Sequence, residues 1–326
     1  MVQVLHQLPK LNNTSLLTGI QSRDDAAVFK LDENTAVVQS VDFFPPNVDD
    51  PFTYGEIAAA NAVSDIYAMG GKPLFALNIV SFPDNLPNKI LEDIIAGGSS
   101  KAAEAEMLIV GGHTIKNDVP IYGLSVTGTV TPGSEISNSS CQINDLLLLT
   151  KPIGSGILTT AAKYDDITRS SLKQCINVMK NLNNKAADAM IKSRINACTD
   201  ITGFGLIGHL MEMTEGSGLM ASIDLDNIPI MDNTYKAALA GYVPSGTKDN
   251  FKATINSVEW SPNISMENKL ILCDAQTSGG LLMSVSPSNL SVLENNLKIN
   301  GISDYAVIGE IRPRRNSSIQ ITVHSN

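Results

Sequence analysis

Two polar residues lie on one face of a helix that the sequence predicts to be buried. Asn61 and Asp65 are four residues apart in TYGEIAAANAVSDIYAMGGKP (53–73), so their side chains stack on the same helical face. A buried carboxylate needs a positive partner, yet residues 53–69 contain no lysine or arginine. Two interpretations stay open: Asp65 caps a neighbouring loop, or this helix is one wall of a cation site.

The ends of this helix carry residue types that begin and end helices. Thr53 and Glu56 have the spacing of a capping box, in which each side chain accepts a hydrogen bond from an amide of the first turn. Gly70, Gly71 and Pro73 are expected to end the helix. The sequence therefore predicts a well-defined helix that presents both polar side chains from a fixed position.

A β-hairpin is predicted between Asp24 and Asp42, with AAVFKL and TAVVQSV as strands around the polar turn 32–34. If the turn is centred after Glu33, Asp25 faces Asp42 across the hairpin. Two carboxylates ~4 Å apart, at an effective dielectric constant of about 20, repel each other by about 4 kcal/mol. A divalent metal between them would remove this cost; the alternative is that both are solvated at the strand ends.

Three regular elements follow, and the last runs into a glycine-rich segment. They are a strand at 74–82, a helix at 88–105 and a strand at 107–110. Gly111, Gly112, His113 and Thr114 come next, and a turn of this kind lets backbone amides approach a phosphate closely. A plain tight turn explains the same residues.

The composition predicts about two domains with a substantial core. The chain has 326 residues, 43% of them hydrophobic, and a mean hydropathy of +0.05. A net charge of -10 argues against a basic surface for nucleic acid or membranes, so we expect any phosphate to bind together with metal. Four scattered cysteines and four histidines argue against structural zinc and favour reduced thiols. No apolar run could span a bilayer, and we expect a cytoplasmic protein.

A polar segment, TPGSEISNSSCQ (131–142), separates two apolar strands and predicts a domain boundary. We expect an N-terminal domain at 1–135 and a C-terminal domain at 144–326. The second domain opens with the strand DLLLLT. It later presents Asp200 beside the glycine-rich ITGFGLIG and a helix at 209–214.

Three glycines in that segment match the GxGxxG pattern of dinucleotide-binding proteins. Gly203, Gly205 and Gly208 have the spacing, and Asp224 lies about twenty residues further on, where a ribose ligand would be. However, the preceding NACTDIT is short and polar instead of a long apolar strand, and Asp200 would repel a bare pyrophosphate. A dinucleotide enzyme is therefore the weaker alternative.

Six segments together closely resemble the selenophosphate synthetase (selenide, water dikinase) family, over almost the whole chain. They are RDDAAV (23–28), VDFF (41–44), NAVSDIYAMGGKP (61–73), GGHT (111–114), TDITGFGLIGHL (199–210) and CDAQTSGGLL (273–282). The wider superfamily includes aminoimidazole ribonucleotide synthetase and thiamine monophosphate kinase. The resemblance implies a two-domain α/β (α+β) fold in which the first domains of two subunits pair into an intersubunit β-barrel.

The same resemblance implies ATP held between the subunits of a homodimer by Mg²⁺, and a set of site residues. The implied metal ligands are Asp25, Asp65 and Asp200. The implied nucleotide contacts are Ser22, Arg23, Asp24, Asp42, Asp65, Gly112, His113 and Thr114. The implied reaction converts ATP, selenide and water to selenophosphate, phosphate and AMP. Phosphoryl transfer of this kind needs positioning and charge neutralisation, which carboxylate-held magnesium supplies without a Walker lysine.

One departure from the family affects catalysis. The family carries a glycine-rich arm with a cysteine or selenocysteine and a lysine upstream of RDDAAV, whereas this sequence starts MVQVLHQLPK. Lys10 lies too close to RDDAAV to take that role, so no catalytic residue is assigned. A smaller departure is Ala275, where the family usually has proline. Three hypotheses result: a selenophosphate synthetase core without its arm, a nucleotide-binding module that has lost catalysis, and a dinucleotide enzyme.

Overall fold

The computed structural model describes residues 13–20, 22–315 and 318–325. Its first sheet has six strands in the order β1-β2-β3-β6-β4-β5, all antiparallel except the pair β4 and β5. The bounds are Leu16–Thr18 (β1), Ala27–Lys30 (β2), Ala36–Phe44 (β3), Lys72–Phe82 (β4), Leu108–Lys116 (β5) and Ile121–Val130 (β6). Every strand of this sheet precedes the predicted boundary at 131–142.

The second sheet has seven strands in the order β10-β13-β9-β12-β7-β11-β8. Their bounds are Leu146–Leu149 (β7), Ala197–Asp200 (β8), Met220–Asp224 (β9), Val258–Trp260 (β10), Leu281–Val285 (β11), Ala306–Arg312 (β12) and Ile321–His324 (β13). The two sheets thus divide the described chain at the polar segment. The exact domain limits, 1–135 and 144–326, stay a prediction.

Helices cover these sheets. Their bounds are Pro51–Ala68 (α1), Asn88–Glu104 (α2), Ser155–Ala162 (α3), Arg169–Lys180 (α4), Asn184–Ser193 (α5), Gly205–Ser217 (α6), Thr234–Leu239 (α7), Ser245–Thr254 (α8), Met266–Leu272 (α9) and Pro287–Ile299 (α10). The predicted strand at 74–82 and the helix at 88–105 are confirmed as β4 and α2. No helix in the described ranges is both long and apolar enough to cross a membrane.

Helix α1 lies between the two sheets and is buried on nearly every side, as predicted. Its apolar side chains pack in one cluster with residues of the first sheet and with Leu148, Cys198 and Leu281 of the second. Burial therefore holds this helix in a fixed position between the two halves of the protein. Any polar side chain that it carries must find its partners inside the fold.

The predicted capping box of α1 is wrong. Asp50 is the cap, and its carboxylate accepts a hydrogen bond from the Thr53 amide at 2.8 Å. Pro51 suits the first helical position because its ring already has the helical φ. Glu56 instead pairs with the Lys180 ammonium at 2.7 Å. The end of the helix is as predicted, because Gly70 has φ +70° and the Gly71 amide donates to the Ile66 carbonyl at 2.8 Å.

The hairpin of β2 and β3 is confirmed, but the predicted facing pair of aspartates is wrong. Ala27 pairs with Gln39, which is one residue away from the predicted register. Asp25 precedes β2, and Asp42 pairs with Leu124 of β6. A shift of one residue moves every side chain to the other face of a strand, so the hairpin alone does not bring the two carboxylates together.

The predicted glycine-rich turn at 111–114 is also wrong. These residues continue β5 as extended strand, with Gly111 opposite Leu77 and His113 opposite Ile79 of β4. Parallel pairing with a long neighbour supplies backbone hydrogen bonds to the whole segment, which outweighs the turn preference of two glycines. The segment is therefore the exposed edge of the first sheet.

Candidate nucleotide and metal site

Four aspartates from four separate elements come within electrostatic range of one another. We call Asp25, Asp42, Asp65 and Asp200 the carboxylate cluster. Asp25 precedes β2, Asp42 lies on β3, Asp65 on α1, and Asp200 ends β8 of the second sheet. Burial is the main cause that raises the pKa of each one, and the Asp200 carboxylate raises the pKa of the other three further. The pKa of Asp42 rises to about 6.

Two oxygens of the carboxylate cluster are buried without a hydrogen bond. Thr199 Oγ1 donates to Asp25 Oδ1 at 2.6 Å, and Asn61 Nδ2 donates to Asp42 Oδ2 at 2.7 Å. Asp25 Oδ2 and Asp200 Oδ2 accept no hydrogen bond from the described residues. Buried carboxylate oxygens are costly unless a cation or donor satisfies them, so this arrangement fits a hard, oxygen-preferring metal ion.

The carboxylate cluster does not form a complete metal cage. Within the described ranges, no three His, Cys, Asp or Glu side chains converge closely enough to hold one ion. Mg²⁺ usually binds through one or two carboxylates, waters and substrate phosphates, whereas Ca²⁺ takes many protein oxygens. The donor set therefore fits magnesium that arrives with a phosphorylated ligand better than a resident metal.

The segment before the cluster is held by the polar linker. The Asp24 carboxylate accepts from Ser137 Oγ at 2.9 Å and from the Asn138 amide at 2.7 Å. Burial raises the pKa of Asp24, while these hydrogen bonds lower it. Arg23 has φ +54° and pairs with Glu215 of α6 at 3.2 Å. Asp24, which precedes Asp25 in the chain, thus connects the polar linker to the carboxylate cluster. The RDDAAV motif did not indicate this structural contact.

The remaining predicted contacts lie in two places. Ser22 Oγ donates to the Gly19 carbonyl at 2.7 Å, just before the cluster. Gly112, His113 and Thr114 lie on β5, three strand spacings from β3 in the sheet, which is roughly 14 Å. The structure therefore does not bring β5 to Asp42 within one chain. The nucleotide roles of these residues stay predictions, and Lys10 lies outside the described residues.

Several residues near the cluster were missed by sequence reasoning. The Ser278 amide donates to Asn61 Oδ1 at 2.8 Å, which fixes the Asn61 amide so that its nitrogen faces Asp42. Asn183 Nδ2 donates to Ser64 Oγ at 2.8 Å, next to Asp65. We call residues Thr277–Gly280 the TSGG loop. Its paired glycines, which follow Asp274, were the available signal in the sequence.

The residues of CDAQTSGG that precede the TSGG loop stabilise the fold. Gln276 Oε1 accepts from the Gly154 and Ser155 amides at 2.9 and 3.0 Å, and Asp274 Oδ2 accepts from the Ile157 amide at 3.1 Å. These side chains satisfy the free amides at the start of α3, where no local side chain does so. The Ala275 amide donates to Thr247 Oγ1 at 3.2 Å, a bond that proline could not make.

His209 orders the loop that follows Asp200. The Thr202 amide donates to His209 Nε2 at 3.2 Å. An amide can only donate, so in this geometry Nε2 carries no proton and the neutral ring holds it on Nδ1, 3.4 Å from Glu212 Oε2.

The GxGxxG match at Gly203, Gly205 and Gly208 does not lie in a dinucleotide-binding fold. Strand β8, which precedes it, is antiparallel to β11, and the next strand along the chain, β9, is not a neighbour of β8 in the sheet. That alternative is wrong in its topology.

Comparison with known proteins assigns the chain to a family. The models of the AIR synthase related protein, N-terminal domain and C-terminal domain, match residues 23–130 and 142–322. A selenide, water dikinase of Myxococcus xanthus is 45% identical over 314 residues, which cover 96% of this chain and 89% of that protein. The chain belongs to the selenide, water dikinase family. The Clostridioides difficile selenide, water dikinase is 42% identical, with 98% of this chain and 92% of that protein covered.

Solved structures with low identity share the fold of this dikinase family member. Thiamine-monophosphate kinase from Stenotrophomonas maltophilia superposes with a TM-score of 0.70 at 15% identity, over 99% of this chain and 94% of that one. Hydrogenase maturation protein HypE in complex with ATP gives a TM-score of 0.70 at 16% identity, over 96% and 87%. Both halves of the dikinase chain are therefore mixed α/β domains of the AIR synthase related type, as the resemblance implied.

Proposed function

We propose that this chain makes selenophosphate: it converts ATP, selenide and water to selenophosphate, phosphate and AMP. Both phosphoanhydride bonds of ATP break, and one phosphoryl group goes to selenide while the other goes to water. The observation that supports this most directly is the pair of buried carboxylate oxygens, Asp25 Oδ2 and Asp200 Oδ2, with no hydrogen bond from the described residues. Family membership supplies the substrates.

The carboxylate cluster is proposed to hold ATP through Mg²⁺. Asp25, Asp65 and Asp200 would each supply a carboxylate to magnesium that arrives with the nucleotide, one or two carboxylates to each ion, with phosphate oxygens and waters as the other ligands. When bound, the metal neutralises charge on the transferred phosphoryl groups. Asp42 is held by Asn61 beside them. Arg23, already near the surface, would add a guanidinium donor to a phosphate. The carboxylates of Asp25, Asp65 and Asp200 are buried, which strengthens the charge interactions among them.

A second copy of the chain is proposed to complete the nucleotide site. Gly112, His113 and Thr114 lie on an exposed edge strand, three strands away from Asp42, where a second copy of the chain could approach them. The outer face of the first sheet also exposes apolar side chains, at 38 to 52% of their surface. These are Val41, Phe43, Phe75 and Leu77. Unpaired edges and apolar patches favour association, so we propose a homodimer through an intersubunit β-barrel.

All four cysteines are buried free thiols, which suits a reducing compartment, and we propose the cytoplasm. Burial raises the pKa of Cys175 and Cys273 to about 12, which keeps both as unreactive thiols. The selenide chemistry is therefore not assigned to them. Among the described residues, we propose that the carboxylates act by positioning a magnesium nucleotide.

Calorimetry and a turnover assay test the proposal together. ATP should bind with Mg²⁺ and fail to bind in EDTA, because a net charge of -10 and the carboxylate cluster repel the bare triphosphate. AMP release should depend on selenide. Equal ATP affinity in EDTA would contradict the metal-bridged site. Magnesium-dependent binding without selenide-dependent AMP would favour a module that has lost catalysis.

A further inference from the structure

Lys151 is a buried lysine close to the carboxylate cluster that no motif singled out. It follows β7 and is only 5% exposed. Its ammonium donates to two backbone carbonyls, Asn181 O at 2.6 Å and Ser278 O at 3.1 Å. Within the described part of the chain it pairs directly with no carboxylate. A buried ammonium without a direct ionic partner is costly, so its position needs an explanation.

The TSGG loop lies between Lys151 and the residue that follows Asp200. A Cβ at Gly280 would meet the Lys151 backbone nitrogen at 2.5 Å, and a Cβ at Gly279 would meet the Ile201 carbonyl at 2.1 Å. Only glycine permits both approaches. The Ile201 amide also donates to the Gly280 carbonyl at 2.8 Å. The two glycines thus bring the lysine backbone and the end of β8 together.

Hydrogen bonds connect the lysine to the cluster through this loop. Lys151 Nζ donates to the Ser278 carbonyl, while the Ser278 amide donates to Asn61, which in turn donates to Asp42. On the other side, Asn183 Nδ2 donates both to Ser64 Oγ on α1 and to the Gly279 carbonyl. The ammonium therefore fixes the same loop that orients Asn61.

Charge also links the two groups. Helix α1 carries no lysine or arginine over residues 51–68, so the cluster has no positive partner on its own helix. Lys151 lowers the pKa of Asp200, and Asp200 raises the pKa of Lys151, which burial brings down to about 7. The ammonium is thus a positive charge, built into the fold, that acts on Asp200 of the cluster without a direct ion pair.

We propose that Lys151 is the protein's own countercharge for the carboxylate cluster and a positioning residue for the TSGG loop. The inference rests on the proposed function, because it assumes that a divalent cation binds at the cluster. Before the metal binds, the ammonium offsets part of the repulsion among the four aspartates. It also keeps metal affinity moderate, so that magnesium binds with the nucleotide and leaves with it.

Manganese binding to the Lys151→Met variant tests the proposal without turnover. Methionine keeps the length of the buried chain but removes its charge. At about pH 6.5, where wild-type lysine is largely protonated, Mn²⁺ affinity without nucleotide should rise about tenfold. Lys151→Arg keeps the charge and should stay within about threefold of wild type. Lys192→Met, at an exposed position of α5, makes the same change in net charge and should have no effect.

Thermal unfolding separates this role from a merely structural one. Lys151→Met should unfold at a lower temperature in EDTA, and excess Mn²⁺ should recover most of the loss, because the metal replaces the missing charge. The inference is overturned if Mn²⁺ affinity is unchanged or weaker, if the loss is the same with metal, or if the variant fails to fold even with Mn²⁺. Absence of Mn²⁺ binding in wild type even with ATP present would instead contradict the proposed function.

Discussion

Replacement of Asp42 by asparagine should make the protein more stable and less able to bind its ligand. Asp42 is partly buried on β3, and burial followed by the Asp200 carboxylate raises its pKa from 3.8 to about 6. Asparagine keeps the oxygen that accepts from Asn61 Nδ2, now at 2.7 Å, and has almost the same shape. The substitution therefore removes one charge and little else.

The size and sign of the effect follow from the pKa. Because the folded state holds the Asp42 proton more tightly than the unfolded state, the free energy of unfolding falls as pH rises from about 4 to about 6. A shift of about two pKa units corresponds to about 3 kcal/mol. An asparagine side chain does not titrate, so the Asp42→Asn variant should match wild type near pH 4 and exceed it by up to about 3 kcal/mol at pH 8.

Urea denaturation in EDTA, repeated between about pH 4 and pH 8, measures this difference. Asp118→Asn, at an exposed position, is the matched control and should follow wild type at every pH. Addition of Mg²⁺ and ATP should stabilise wild type more than the variant, because only wild type keeps the full cluster. A constant gap across the pH range, or a less stable variant at pH 8, would refute the raised pKa of Asp42 that burial and the Asp200 carboxylate produce.

Three further outcomes are expected. Asp65→Asn should weaken binding of ATP with Mg²⁺ by at least about tenfold in calorimetry, while Asp118→Asn leaves it unchanged. Gly98→Ala should cost about 1–3 kcal/mol in urea denaturation, since its Cβ would lie 2.0 Å from the Tyr122 hydroxyl, whereas Gly203→Ala has open space and should cost less. Light scattering should give a mass near twice 34.7 kDa, and a monomer at micromolar concentration would contradict the shared nucleotide site.

The elements with strong local signals were predicted correctly. The buried helix around Asn61 and Asp65, the hairpin after Asp24, the strand at 74–82 and the helix at 88–105 all have continuous apolar patterns or clear end signals. The wrong predictions concern segments in which two local signals compete. The capping box at Thr53 gave way to Asp50 with Pro51, and the glycines at 111–112 became strand because β4 pairs with them.

The grouping of Asp25, Asp42, Asp65 and Asp200 was predictable from the sequence, but the geometry that brings them together was not. The lack of a cation along the Asp65 helix indicated a partner elsewhere, and the acidic residues near glycines indicated a metal nucleotide. Asp25 and Asp42 were predicted to face each other across the hairpin, and this prediction was wrong by one residue of register. What relates them is Asp200 from the second sheet, since its carboxylate raises the pKa of both.

By itself, the sequence indicated the class of chemistry: an acidic chain with several carboxylates beside glycines is expected to handle phosphate through a metal ion. Only the tertiary structure decided which groups meet. Lys151 and Asp200 are 49 positions apart, and Ser278 lies 217 positions from Asn61, so no local pattern relates them. Their meeting depends on α1 being buried between two sheets and on Gly279 and Gly280 allowing close backbone approach, which are properties of packing and not of any one segment.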